Sequence, residues 1–514
     1  MRNLKRTLSL VLAALMLMSM MVVGAGAASK DFTDSDEIQH KEAVEVMVAL
    51  NVVSGKDDGS YFAPTDTFTR EEMAKIVSYV MNGGVEPVVG TKVTPTYSDI
   101  KGIWSEKYIE YCTSMDIISG DGTGKFNPTG TLTAEQAAKM FLTAMGYDSK
   151  VFGFVGNDWA INVGRYANEA GLYKELGDVV PSHPITRDDA MQMAYNAIQG
   201  TMMRRTWSQD LTTGQLTETY GPWTEQKTVG GVLYNIPHTL LSDKFDGSIE
   251  LGYLVGFDYD ATKAQWTYTF NANANFGGDK INTQNALASQ IKLKSTVDYT
   301  DLFGQQVKVI YNIDNNEVIY GVYANNSSVI VSGATGNVEE YNDTANTVTV
   351  AGTDYKLNDD AKTIGVYDLR NDVAVAKLDT LPTEKADGTK NANALDAYTF
   401  KMVDNTGDGK IDAVIRTPVT VAKINYVGKD SVQLGSNIGS VDLDDLVTYD
   451  GYAAGDWVCY IKDTYATTGR NTIQKLDLQT AAVSGVRGGS GAATYTEYQI
   501  NGTWLAGSNY GVYS

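Results

Sequence analysis

The residues best placed to do chemistry are two arginines, each preceded by a threonine at the start of an amphipathic stretch: Thr69-Arg70 and Thr186-Arg187. Thr69-x-x-Glu72 has capping-box spacing, in which each side chain satisfies the other residue's backbone N–H, and Thr186-x-x-Asp189 is a weaker version. A third copy, Thr133-x-x-Gln136, carries Ala134 in the arginine's place. An arginine in the first turn of a helix adds a planar, two-pronged donor to exposed backbone N–H groups at the positive end of the helix dipole. That combination favours a carboxylate or a phosphate. The competing reading for Arg70 and Arg187 is a surface ion pair. Trp104 and Trp159 are either core aromatics or flat faces on which a sugar ring can stack.

A second constellation is Asp404-Asn405-Thr406-Gly407-Asp408-Gly409-Lys410-Ile411-Asp412. Acids stand at loop positions one, five and nine and glycine at six, which resembles calcium loops in which oxygen ligands alternate. Asp404, Asp408 and Asp412 are the candidate Ca2+ ligands, and no other cofactor is expected. Thr406 at position three, Ile415 at position twelve and strand-like flanks argue instead for a solvated hairpin turn. Catalytic signals are sparse. The histidines are His40, His183 and His238, and no Gly-x-Ser-x-Gly, His-Glu-x-x-His or phosphate-loop motif occurs. No catalytic residue is assigned, although a pair of carboxylates acting on a glycoside stays open, because their spacing is set in three dimensions.

The elements that must position the arginines repeat along the chain. Phe32 to Gly55 aligns without a gap on Tyr97 to Gly120, with Phe32-Thr33-Asp34 on Tyr97-Ser98-Asp99 and Val53-Ser54-Gly55 on Ile118-Ser119-Gly120. Beyond a Gly-Asp turn, Phe62-Ala63-Pro64 matches Phe126-Asn127-Pro128, and Phe68-Thr69-Arg70-Glu71 matches Leu132-Thr133-Ala134-Glu135. A fainter third copy places Trp159-Ala160 on Trp104-Ser105 and ends at Ile185-Thr186-Arg187-Asp188. Ala43, Val44, Met47 and Leu50, like Met73, Ile76 and Val77, recur at helical spacing, so each copy predicts helix, turn, helix. One such unit cannot bury its own face, and the copies must pack together.

The order Phe-x-Asp, Trp, (Ile/Val)-Ser-Gly, Asp-Gly, Phe-x-Pro, Thr-Arg-x-Glu resembles the S-layer homology (SLH) family, with repeats at 31–80, 95–145 and 152–200. The resemblance implies a mostly α, three-repeat bundle whose grooves bind an anionic secondary cell-wall polysaccharide, often pyruvylated. It implies binding roles for Arg70, Arg187, Trp104, Trp159, Asp34, Asp99, Thr69 and Thr186. This sequence departs from the pattern at Ala134, at Gln39 in place of a tryptophan, and in the third copy at Phe154 and Lys174-Glu175-Leu176-Gly177-Asp178. Unequal grooves are therefore expected, with Arg70 and Arg187 carrying most of the binding.

Composition places this unit in an exported, multidomain chain. Arg2, Lys5 and Arg6, the apolar run from Leu8 to Val23 and the small residues Ala25-Gly26-Ala27 predict a cleaved signal peptide over 1–27 rather than an anchor, and no later segment is apolar enough to span a membrane. A formal charge of -21 over 514 residues argues against nucleic acid or an anionic membrane as partner. Cys112 and Cys459 stand far apart and predict two separate free, buried thiols. Residues 201–230 read as a polar linker or docking segment, and 231–514 as all-β modules, antiparallel sandwiches or small barrels. Hairpins starting near Val307, Val373 and Trp457, each followed by a second (Gly336 to Leu357, Val421 to Leu434, Gly485 to Leu505), predict three modules in series. The likeness of Ile364-Gly365-Val366-Tyr367 to Tyr510-Gly511-Val512-Tyr513 raises the expectation that a further module could begin where the chain stops. The functional expectation is a non-enzymatic protein of a bacterial cell wall or S-layer, of Gram-positive type, whose β region faces outward for lattice formation by self-association, adhesion or display. The alternative is a wall-anchored enzyme or carbohydrate-binding protein with its active part in the β region.

Overall fold

The computed structural model describes residues 32–506, less several internal stretches of which 379–397 is the longest. The expected signal peptide, Asp57 and Asp58 of the first turn, and Tyr510 to Tyr513 lie outside the described residues. The chain is multidomain, helical first and β-rich afterwards.

Six helices come as three pairs: α1 (Lys41–Ala49) and α2 (Arg70–Met81), α3 (Glu106–Ser114) and α4 (Ala134–Ala144), α5 (Trp159–Glu169) and α6 (Arg187–Gln199). The second helix of each pair starts at its threonine. Thr69 accepts from the Glu72 N–H (3.3 Å) while Glu72 accepts from the Thr69 N–H (2.8 Å), and Thr133 and Gln136 form the same box. Such a cap stabilises a helix by about 1 kcal/mol. The first helix of each pair packs not on its own partner but on the second helix of the preceding pair: α3 on α2, α5 on α4, and α1 on α6. One shared core results, with Phe62, Phe68, Phe126, Phe141 and Phe154 fully buried within it. Three loops close a ring at its centre, where the Phe68 N–H donates to Ile185 O (3.2 Å), Ile185 to Leu132 O (3.1 Å), and Leu132 to Phe68 O (2.9 Å). Cys112 lies in this core and Cys459 is half-buried in the β region; both are free, as expected, and burial pushes the Cys112 thiol up to about 12.

Residues 201–230 correct the linker expectation. They fold into the ribbon β1 (Met203–Gln209)–β2 (Leu216–Pro222) and enter a second, β3 (Thr224–Val229)–β4 (Val232–Pro237). Both are antiparallel, and most of their described side chains are exposed, so no apolar alternation marks them in the sequence. The short helix α7 (Leu240–Phe245) then drops Leu240, Leu241 and Phe245 into the helical core.

The β region is a series of sheets with one recurring plan. In the first module, β5 (Gly247–Asp260) pairs through its first half with β8 (Gln306–Asn312) and through its second half with β6 (Gln265–Asn271). The meander continues to β7 (Ile291–Ser295), and β8 returns through a hairpin with β9 (Ile319–Ala324). The second module opens with β10 (Ser328–Ala334) and a three-stranded meander β11 (Val338–Asn342), β12 (Thr347–Val350) and β13 (Thr353–Lys356). It continues with β14 (Gly365–Asp368) and β15 (Ala376–Lys377) and closes with the hairpin β16 (Tyr398–Asp404)–β17 (Ala413–Pro418). The third repeats the split first strand: β18 (Thr420–Val427) pairs with β22 (Trp457–Ile461) and then with β19 (Ser431–Leu434). It also holds β20 (Gly439–Asp442), β21 (Leu446–Val447) and β23 (Asn471–Lys475). A final meander is β24 (Val483–Gly488), β25 (Thr496–Ile500) and β26 (Thr503–Ala506).

Three expectations change here. The sheets are not purely antiparallel, because β14 pairs with β17, and β21 with β23, in parallel. The hairpins near Val307 and Trp457 end their modules rather than begin them, since β8 and β22 come back to pair with the strand that opened the unit. Near Val373 the expected hairpin shrinks to the two-residue edge strand β15, and the returning hairpin of that module is β16–β17. Local alternation marks a strand but not which strand it pairs with.

Candidate functional site

The helix starts are not open to an anion as the sequence suggested. The N–H groups of Arg70 and Glu71 donate to Gly130 O and Pro128 O, those of Ala134 and Glu135 to His183 O and Pro181 O, and those of Arg187 and Asp188 to Asp66 O and Pro64 O. The threonine takes the next N–H. Each helix start thus docks into a neighbouring loop, which leaves the arginine side chain as the donor.

Arg187 is 5% exposed; its Nε donates to Phe62 O (2.8 Å), its Nη2 to Ser54 O (3.4 Å), and the guanidinium lies 5.0 Å from the Phe62 ring centroid. Arg70 repeats this against the second pair, with Nε on Phe126 O (2.9 Å), Nη2 on Ser119 O (3.1 Å) and the Phe126 centroid 4.4 Å away. The (Ile/Val)-Ser-Gly and Phe-x-Pro segments therefore supply the carbonyls that fix each guanidinium plane. Burial pulls both arginines below their ordinary range, and nearby acidic groups, Glu72 first for Arg187 and the Tyr97 phenol first for Arg70, oppose that. Among the described residues neither arginine makes the surface ion pair that was the competing reading; each rests on main-chain oxygens.

Arg187 lines a cavity of about 240 Å3 together with Lys56, Glu72, Lys75, Tyr79 and Trp104. Trp104 is 52% exposed there and packs edge-on against Tyr108 at 6.0 Å. Trp159 is half-buried against the core, with Lys139 Nζ 5.5 Å from its ring centroid. Burial, and then the charge of Arg70, lowers Lys139 below the usual lysine range, so these two cations share one neighbourhood. Each groove draws on three helix pairs. Arg187 of α6, Lys75 of α2 and Trp104 before α3 make one; Arg70 of α2, Lys139 of α4 and Trp159 of α5 make the other. The two lysines went unnoticed in the sequence, although they hold the same place in their helices. The third combination places Ala134, Gln192 and Gln39 at the corresponding positions, and arginine, lysine and tryptophan are all replaced together. Beside it a cavity of about 370 Å3 is lined by Glu37, Gln39, Asp178, His183, Asp188 and Asp189.

Other candidates serve the scaffold. Asp34 accepts from the N–H groups of Phe62 (2.9 Å) and Ala63 (2.7 Å), and Asp99 from those of Phe126 (2.9 Å) and Asn127 (2.8 Å). They hold the Phe-x-Pro loops whose carbonyls grip the arginines; Phe154, which takes the aspartate's place in the third copy, is buried in the core. Thr69 and Thr186 cap their helices, with Thr186 accepting from the Asp189 N–H (3.1 Å). In the acidic loop, Asp404 accepts from Thr406, Gly407 and Gly409 N–H groups, Asp412 from Asn405 N and Asn358 Nδ2, and Asp408 pairs with Lys410. Among the described residues, no group of three or more His, Cys, Asp and Glu side chains could hold a metal ion. Nor is the turn wholly solvated: Asp404, Asn405 and Asp412 are buried, and Asn405 bonds Phe276 O, Gly304 O and the Gln306 N–H, tying the second module to the first.

Capped helix pairs in a closed ring, with arginines fixed by the neighbouring loop and a β-rich region following them, define a multidomain protein of helical repeats and β modules. The S-layer homology domain family matches residues 31–74 and 96–138, and the chain is an SLH domain-containing surface protein. It is 29% identical over 175 residues to S-layer protein EA1 of Bacillus anthracis, covering 32% of this chain and 20% of that one. It is 28% identical over 175 residues to an S-layer protein of Bacillus licheniformis, again covering 32% and 20%. Over 174 residues it is 26% identical to an uncharacterized cell wall amidase of Bacillus anthracis, covering 32% of each chain. The matched stretch thus spans between a fifth and a third of these relatives.

Proposed function

We propose that the helical region anchors an exported protein non-covalently to a bacterial cell wall of Gram-positive type, through two grooves that bind an anionic secondary cell-wall polysaccharide. In this reading the third helix pair is a third, degenerate SLH repeat. The supporting observation is the joint replacement of arginine, lysine and tryptophan in one groove and their joint retention in the other two. Groups with unrelated structural roles have no reason to disappear together, whereas groups contacting one ligand do. A guanidinium and an ammonium beside an exposed indole suit a sugar bearing a carboxylate, such as a pyruvate ketal: the cations take the charge and the ring stacks on the sugar face. The β modules, in this reading, are a non-enzymatic surface or lattice-forming part.

Co-sedimentation of the mature chain with purified cell walls, before and after extraction of the secondary polymer, tests this. Binding should disappear with the polymer; binding that survives extraction rules out the mechanism. The second reading, a wall-anchored enzyme, draws support from the amidase relative, which shares this stretch. Release of soluble fragments from purified walls by the mature chain would favour that reading.

A further inference from the structure

We propose that the seam between α1 of the anchor and strands β8 and β9 of the first module is a proton-sensitive latch, tight when the Glu45 carboxyl is protonated and looser when it is ionised. The seam is extensive. Ile310 of β8 and Tyr320 of β9 belong to the helical core, and Tyr323 packs against it. Two carboxyl groups of α1 face the β module, and they are treated differently. Glu42 receives Lys308 Nζ from β8 and Tyr195 Oη from α6, so its charge has a cation beside it. Glu45, one turn further along, accepts from Tyr323 Oη of β9 at 3.1 Å.

The charged and titratable groups around Glu45 are Lys41 and Glu42 on its own helix, Tyr195 on α6, Lys308 on β8, Tyr323 on β9 and Tyr299 after β7. Lys308, the cation that β8 brings to the seam, is bound to Glu42. Burial therefore dominates: it pushes the Glu45 carboxyl up to about 7, the Glu42 charge adds to this, and the Tyr323 phenol and Lys41 oppose it. A carboxyl released from the seam returns to its ordinary value near 4.5. Because the closed-state value is the higher one, closure is favoured fully below about pH 4.5. That advantage fades as pH rises through 7 and is absent beyond it.

Amide hydrogen exchange on the mature full chain at pH 5 and pH 8, corrected for the intrinsic pH dependence of exchange, tests the latch. Peptides from α1 and β9 should lose roughly fifty- to a hundredfold more protection than peptides from α4. Glu45→Gln, which keeps the shape but cannot ionise, should abolish that excess. Tyr323→Phe removes a donor that favours the carboxylate and should move the midpoint to higher pH. An excess of the same size in Glu45→Gln, or no excess in the unmodified chain, overturns the proposal. Should Glu45→Gln fail to fold, an unmoved midpoint in Tyr323→Phe overturns it.

Discussion

The grooves around Arg70 and Arg187 and the third site around Ala134 share a backbone plan and differ in chemistry. All three helix starts dock their N–H groups on a neighbouring loop, and all three threonines cap their helices. Two sites then add an arginine gripped by main-chain oxygens, a lysine and a tryptophan. The third substitutes Ala134, Gln192 and Gln39 and lies beside a cavity lined by carboxylates. The scaffold contacts thus persist where the arginine, lysine and tryptophan have gone. The difference separates what closes the ring from what, in the proposed function, would meet the wall polymer.

The largest effect expected from breaking this contrast is in Arg70→Ala combined with Arg187→Ala. Each change removes a charge-assisted contact of about 1.5–3 kcal/mol, a loss of roughly tenfold to a hundredfold. Together they should abolish wall sedimentation while the circular dichroism spectrum keeps its helical signal. Retained sedimentation in the folded double variant would assign both arginines to structure alone.

Lys75→Gln with Lys139→Gln converts the equipped grooves to the third site's residue at that position. The expected loss is smaller, about tenfold in wall affinity, and steeper at low salt than at high salt. A salt-independent change would show that the lysines do not meet a charge.

Thr69→Ala and Thr133→Ala should each cost about 1 kcal/mol of stability, read as similar falls in Tm, because both caps are complete. Thr69→Ala should weaken wall binding more than Thr133→Ala, since Arg70 stands in the turn that Thr69 caps whereas Lys139 lies well inside the helix that Thr133 caps. Equal binding losses in the two variants would erase the distinction between the sites.

The smallest effect belongs to His40, whose hydrogen bond to Asp189 (3.3 Å) raises its pKa above the ordinary 6.5. The pairing stabilises the fold fully below about pH 6.5 and loses that contribution as pH climbs through the raised value. Tm measured from pH 6 to pH 8 should fall slightly more in the unmodified chain than in His40→Ala, with wall binding unchanged at the acid end.

Near-neighbour physics accounts for what was legible without coordinates. The spacing of Thr69 and Glu72, the apolar face of Met73, Ile76 and Val77, and the repetition of Phe-x-Asp and Ser-Gly are written within single helix pairs, where caps and helical period are set. They were enough to place the helices, the β-rich remainder and the two arginines. The ribbons at 201–230 escaped because exposed strands bury too little to leave an alternating pattern. The hydrogen bonds of the acidic loop, whose carboxylates accept from their own turn and from Asn358, were not legible, because composition does not reveal which donors a carboxylate meets.

Tertiary packing alone decided which arginine works with which lysine and tryptophan. Each groove takes its three side chains from three different helix pairs, because each first helix packs on the second helix of the pair before it, a choice made by the shared core. The same packing covered the helix-start N–H groups with loop carbonyls, since a buried donor without a partner is costly. It also set Glu45 against Tyr323, residues whose meeting depends on how the anchor seats the first β module.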